Sequence, residues 1–304
     1  VPDSGCGSWL FEPQSTNLLP YSEDFNTWTK GGISIESNSL SPDGTTNASK
    51  ITATTADPYI YKLVDVGLGY VTFSFYAKAN EPYVGRVLFW AIGTAVVAGS
   101  TSQNFTLSNK WERYEATINV TTAGTLAFRL DFPINNGGNA GEYGYLWGAQ
   151  VEQQSYATSY IPTSGSSVTR NQDLCTNGGS LASINSTEGV LYAEIRKDVI
   201  APTFQLISLN NAASNSDANS VTIGFEGGTD FYVRVKSPSG SFTSQTIFAS
   251  NNEFHKIAIR YEQANIGLFI DGIKEATYTG NYLFTQPLDN LSFDYNGNGT
   301  LPFY

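Results

Sequence analysis

Few residues in this chain could do covalent chemistry, and their spacing speaks against it. His255, in the run EFHKIAIRY, is the single histidine. A Ser-His-Asp triad would have to be built on it, yet no Gly-x-Ser-x-Gly elbow is present to hold the serine. His255 therefore reads as a structural residue at a strand edge. The carboxylates Glu142, Glu152, Glu194, Asp198, Glu226 and Asp230 are scattered, with no Glu-x-Asp-x-x-Glu run to set three acids on one strand face. Glycoside hydrolysis needs two acids facing one sugar, so no catalytic residue is assigned and an enzyme is not expected. A metal centre of His and Cys is excluded by number, since there is one His against two Cys. Cys6 and Cys175 are too few for a disulfide scaffold. They either close one bond around everything between them or are two unrelated buried thiols.

What the chain does supply is flat rings beside amides and hydroxyls, the materials of sugar recognition. Pyranose C–H faces pack on aromatic faces, while Asn, Asp and Gln bond the sugar hydroxyls. Trp28, Tyr59, Tyr61, Trp90 and Tyr143 are the candidate rings. Tyr59 and Tyr61 lead, because DPYIYK (57–62) follows a proline and puts both rings on one face of an expected edge strand. In the second half, Asn210, Asn211, Asp217 and Asn296 stand in loops that could line a site.

The elements that must position these residues are strands. No window of twelve or more residues carries apolar positions at helical spacing, and Gly, Pro, Asn and Ser interrupt at short intervals. YVTFSFYAKA (70–79) alternates Val71, Phe73, Phe75 and Ala77 with polar neighbours. Runs at 84–93, 111–120, 125–134 and 143–152 follow at short regular intervals. A second series occupies 189–198, 204–211, 220–227, 231–237, 244–249, 255–262, 266–272 and 290–296. Short strands with Gly/Asn/Pro turns predict sandwiches. SPSG (237–240) fits a hairpin turn, and Asp271-Gly272 suits one that needs positive φ. The fold class is all-β: two β-sandwich domains in tandem, 1–175 and 176–304, joined through SGSSVTRNQDLCTNGGS.

Composition narrows the partners. Of 304 residues, 40% are hydrophobic and only 14% charged, so the surface is mostly uncharged Ser, Thr, Asn and Gly. The net charge of −11 is spread evenly, −6 over 1–180 and −5 over 181–304, leaving no basic half for nucleic acid. No run of eighteen apolar residues exists to insert in a membrane. No signal-peptide pattern opens the chain, which starts on Val1 without any Met and is expected to be a piece of a longer polypeptide.

Several stretches carry a resemblance. FEPQSTNLLPYSEDFNTWTK (11–30), SPDGTTNASKI (41–51), SFYAKA (74–79) with KWERYEATI (110–118), and WGAQVEQQSYATSYIPTSGSSVTRNQDLC (147–175) resemble a module of bacteriophage tail-fibre and virion proteins. That module is also similar to carbohydrate-binding jelly rolls attached to polysaccharide-degrading enzymes. GVLYAEI, NEFHKIAIRYE and IGLFIDG resemble a concanavalin A-like (laminin G-like) sandwich. The likeness departs in two places: His255 stands near the usual Trp, and the chain stops at LPFY without the expected closing strand, which suggests truncation.

The resemblance implies a non-catalytic, extracellular virion protein, of tail or head fibre type, that binds host-surface glycans beside other virion proteins. Such fibres are frequently trimeric. The alternative is the accessory carbohydrate-binding region of a secreted bacterial enzyme. It implies no required cofactor, with calcium as the ion such modules often hold and Asp43, Asp217, Asp230 and Asp294 in polar loops as the candidates. Finally, it implies that FEPQSTNLL and YATSYIPT lie side by side as the two ends of the first domain. Cys6 and Cys175 would then be close, Tyr156, Tyr160 and Ile161 would pack, and Pro162 would end a strand.

Overall fold

The computed structural model describes residues 12–90, 94–133, 139–173, 178–196, 205–213, 218–226, 230–247 and 254–293, with 90, 226, 230 and 244–247 described by backbone only. Cys6, Cys175, Asp217, Asp294 and Asn296 lie outside the described residues. Among the described residues the chain is built from β-strands, with one 3-10 turn at Phe25–Thr27. It divides into two compact units, Glu12–Gln172 and a second from Asp173 onward.

The strands of the first unit are β1 (Ser15–Asn17), β2 (Thr29–Gly31), β3 (Ile33–Ser39), β4 (Ala48–Ala53), β5 (Tyr59–Val66), β6 (Gly69–Ala79), β7 (Tyr83–Trp90), β8 (Val96–Ala98), β9 (Ser102–Leu107), β10 (Glu112–Thr122), β11 (Gly124–Asp131), β12 (Tyr143–Glu152) and β13 (Val168–Arg170). Two antiparallel sheets face each other. One has the order β3-β4-β12-β6-β10-β8 and the other β2-β5-β11-β7-β9. Period-2 alternation sends Val71, Phe73 and Phe75 of β6 and Leu126, Phe128 and Leu130 of β11 into the space between them, all fully buried. Phe73 meets Phe128 across the layers at 5.7 Å. Each such buried ring contributes roughly 1.5–3 kcal/mol.

The stretch after β12 is irregular rather than a strand, which corrects the expectation for YATSYIPT. The strand that meets the chain start is β13, pairing antiparallel with β1 from Ser15↔Arg170 to Asn17↔Val168. Asn17 is the centre of this closure. Its buried amide donates to the carbonyls of Ala149 (3.3 Å) and Ile161 (2.9 Å). Its Oδ1 accepts from the amides of Leu19 and Val151, each at 3.1 Å. Glu152, fully buried, accepts from Ser15, from Gln154 and from both the amide and hydroxyl of Thr158. A buried carboxylate is tolerable only with its oxygens satisfied in this way. Tyr160 packs on Trp147 at 4.6 Å, and Ile161 is buried.

The second unit holds β14 (Glu188–Ile195), β15 (Gln205–Asn210), β16 (Ser220–Glu226), β17 (Asp230–Ser237), β18 (Gly240–Ile247), β19 (His255–Glu262), β20 (Asn265–Ile270), β21 (Ile273–Tyr278) and β22 (Asn290–Ser292). They form the sheets β14-β19-β20-β21 and β18-β17-β16-β15-β22. Ile257, Ile259, Ile266 and Leu268 of the first and Val221, Ile223, Val233 and Val235 of the second fill its core. SPSG closes the β17–β18 hairpin by pairing Ser237 with Gly240. Asp271 and Gly272 turn the β20–β21 hairpin at φ +50° and +83°. The sequence pattern passes over β21, because IKEATY is largely exposed and never alternates cleanly. β22 pairs with β15 over Ser208–Asn210, and the residues after 293, LPFY included, lie outside the described ones.

Candidate functional site

The outer face of the five-stranded sheet of the first unit gathers the best candidates. Ile60 and Val64 of β5 face the core, so Tyr59 and Tyr61 face outward, half-buried. Their rings lie 6.3 Å apart and 24° from parallel. Contrary to expectation, β5 is not an edge strand: β2 covers its first half, pairing Thr29 with Tyr61 and Gly31 with Tyr59. The edge strand shapes the site. A Cβ at Gly31 would fall 2.5 Å from the Tyr59 ring, so only glycine lets that ring lie across β2.

On the other side of β5, register brings Arg129 of β11 opposite Tyr61. Asp131 faces Arg86 of β7, and Arg86 faces Asn104 of β9. The Arg129 guanidinium sits 4.4 Å from the Tyr59 ring centroid and its Nε donates to Asp131 Oδ1 at 2.7 Å. Arg86 donates to the other oxygen, Oδ2, through Nε at 2.8 Å and through Nη2. Both oxygens of buried Asp131 thus accept from guanidinium groups, and the carboxylate holds the two arginines in place. Arg86 Nη1 has no partner among the described residues and remains available as a donor. Asp57, Pro58, Tyr59, Arg86, Arg129 and Asp131 line a depression of about 340 Å³, within the range of small-ligand sites.

The other candidates fall elsewhere. Trp28 is not at a surface: it is 3% exposed, packs on Phe25 at 5.2 Å and donates from Nε1 to the Tyr21 carbonyl. Its apolar body completes the core, which corrects its assignment as a ligand residue. Trp90 lies on β7 in register with Ala127, and its side chain is outside the described residues. Tyr143 is half-buried on the outer face of the opposite sheet, away from Tyr59 and Tyr61. Asn210 and Asn211 are buried and engaged, with Ser292 and Asn290 in one case and the Pro287 carbonyl in the other. They are structural, not loop contacts.

For a metal, the described residues contain no cluster of three or more His, Cys, Asp or Glu. Asp43 closes its own turn, Oδ1 accepting from the Ser41 hydroxyl and from the amide and hydroxyl of Thr45. Those hydrogen bonds, with Ser41 the largest, hold its carboxyl below the usual range. The Asp230 side chain, like Asp217 and Asp294, is not among those described. His255 is structural, its Nδ1 2.8 Å from Asp271 Oδ2 and its ring edge-on to Phe231 at 5.3 Å.

Sequence reasoning missed Arg86, Arg129, Asp131 and Gly31. One signal was available: in LAFRLD (126–131), two charges share the face opposite Leu126, Phe128 and Leu130. Charges on one face of an otherwise apolar strand mark an outward surface with work to do.

No protein-family model matches the chain, and no curated protein matches it. Among solved structures, the carbohydrate-binding module TmCBM61 in complex with β-1,4-galactotriose is similar at 12% identity, covering 45% of this chain and 99% of that one, with a TM-score of 0.36. The enzymatically active domain of bacteriophage CBA120 tailspike protein 4 is similar at 17% identity over 44% of this chain and 21% of that one, TM-score 0.35. Mouse laminin alpha1 domains LG4-5 align with 91% of this chain and 89% of theirs at 10% identity, TM-score 0.29. With scores this low, function has to come from the side chains themselves.

Proposed function

We propose that the first unit is a non-catalytic glycan-binding sandwich whose outer five-stranded face takes a neutral saccharide. The observation that carries this is the near-parallel pair Tyr59 and Tyr61 beside the Arg86–Asp131–Arg129 cluster. Rings receive the C–H face of a pyranose, while arginines locked by a shared carboxylate present donors without the entropy cost of ordering them on binding. Two guanidiniums and the carboxylates of Asp57 and Asp131 line the depression and cancel in charge, which favours uncharged sugars. The charge-poor, hydroxyl- and amide-rich composition suits the same ligand.

In biological terms, we place the chain in a bacteriophage virion, as a tail or head fibre-type protein that meets host-surface glycans outside the cell. The tail-fibre-like motifs at 11–30 and 147–175 support that assignment. The test is a glycan array probed with the full chain, beside Tyr59→Ala and Arg86→Ala. Binding to neutral glycans that both variants weaken is the expected result. No binding by a folded chain would overturn the ligand assignment, and absence of the protein from purified particles would overturn the virion assignment.

A further inference from the structure

The outer face of the opposite, six-stranded sheet carries a different pattern that the saccharide site does not use. Register sets Tyr145 of β12 between Lys50 of β4 and Lys78 of β6. Trp111, just before β10, follows on the far side of Lys78. The Lys78 ammonium lies 5.0 Å from the ring centroids of both Trp111 and Tyr145, and Lys50 lies 4.8 Å from that of Tyr143. Cations and rings therefore alternate along one row. Tyr143 and Tyr145 meet edge-to-face at 6.0 Å and 85°, which makes a corner and not a flat shelf. All three rings are half-buried, with surface left to contact a ligand.

The charges in this row are unequal. Lys50 is matched by Glu36 at 3.2 Å. Lys78 makes no ion pair among the described residues; only ring faces hold it. A ring quadrupole attracts an ammonium but leaves its charge uncompensated. In a chain of net charge −11, a half-buried lysine flanked by rings and without an ion pair among the described residues keeps a positive charge to offer an anion.

We propose that this row is a second saccharide-binding surface, selective for sugars that bear a carboxylate. The ammonium already covers the ring faces beside it, so a neutral pyranose would have to displace it in order to stack. A uronate instead gives Lys78 its counter-charge with the ammonium left in place, and meets the Tyr143–Tyr145 corner at the ring edges rather than on the covered faces. One corner and one cation fit a single acidic residue of a chain. This surface shares no residue with the Tyr59 depression, so the two assignments stand or fall separately.

The test is titration of the full chain with polygalacturonate, with neutral galactan and with oligothymidylate, at low and high salt. The expected result is polygalacturonate binding that salt weakens, that Lys78→Gln weakens roughly tenfold, that Lys78→Arg largely restores, and that Tyr59→Ala leaves unchanged. Absence of polygalacturonate binding at low salt overturns the proposal whatever the variants do. So does binding that Lys78→Gln leaves intact, or tighter binding of oligothymidylate, since rings with lysines also hold single strands.

Discussion

Arg129 holds its guanidinium 4.4 Å from the centre of the Tyr59 ring while its Nε donates to Asp131 at 2.7 Å. One side chain thereby couples a stacking surface to a buried carboxylate on its own strand. The neighbouring Arg86 reaches the same carboxylate from β7, so strands far apart in sequence present one rigid polar group next to two rings.

The ring itself is the first thing to test. Tyr59→Ala should weaken binding of whichever neutral glycan the array identifies by ~1–2 kcal/mol, a factor of about 5–30. Tyr59→Phe, which keeps the apolar face, should stay within about threefold of the native chain. Calorimetric titration reads both. Equal losses in the two variants would mean that the hydroxyl, not the stacking face, does the binding.

Gly31→Ala probes the same ring from below. The added methyl would sit 2.5 Å from the Tyr59 ring, and the backbone of Gly31 needs no positive φ. The expected outcome is a ring swung off the sheet, with glycan affinity reduced several-fold and the unfolding midpoint shifted little. A large drop in the midpoint with affinity unchanged would contradict this role for the glycine.

At the chain closure, Asn17→Ala should destabilise the first unit by about 3 kcal/mol. It strips partners from the amides of Leu19 and Val151 and the carbonyls of Ala149 and Ile161 at once. Urea denaturation of the full chain, followed through tryptophan fluorescence, measures it. Asn17→Asp keeps the acceptor but sets a buried carboxylate oxygen against the Ala149 and Ile161 carbonyls, and should destabilise at least as much as Asn17→Ala.

Alkali should loosen the same closure. Burial, the largest cause, pushes the Tyr160 hydroxyl well above the ordinary tyrosine range, helped by the nearby Glu23. Tyr160 donates to Glu23 at 2.8 Å and lies 2.6 Å from the Ser22 hydroxyl. A group whose folded pKa is raised contributes stability that is complete below its unfolded value of about 10 and is lost as pH rises through the folded one. Unfolding midpoints taken from pH 8 upward should therefore fall less steeply in Tyr160→Phe than in the native chain, although the variant starts lower at neutral pH.

Much of the strand pattern was legible. YVTFSFYAKA alternates, and β6 runs Gly69–Ala79 with its apolar half in the core. Asp271-Gly272 announces a tight turn, and both residues have positive φ. β2 was not legible: Thr29–Gly31 is three residues long and has no buried side of its own. Its presence is dictated by what it pairs with, and it moved β5 away from the edge. Trp28 likewise could not be told apart from an exposed ring, because the partners that enclose it lie outside any local pattern.

The order of residues by itself determined that this protein is made of sheets, that they pack in sandwiches, and that its surface is poor in charge and rich in hydroxyls and amides. Those properties follow from alternation and composition, which are local. Only the tertiary structure decided which rings share a surface. It set Tyr59 and Tyr61 beside Arg86, Arg129 and Asp131, and sent Tyr143 to the opposite sheet with Lys78. Strand order and register are set by long-range pairing and by the fit of two buried faces, and a single strand's sequence does not contain that information.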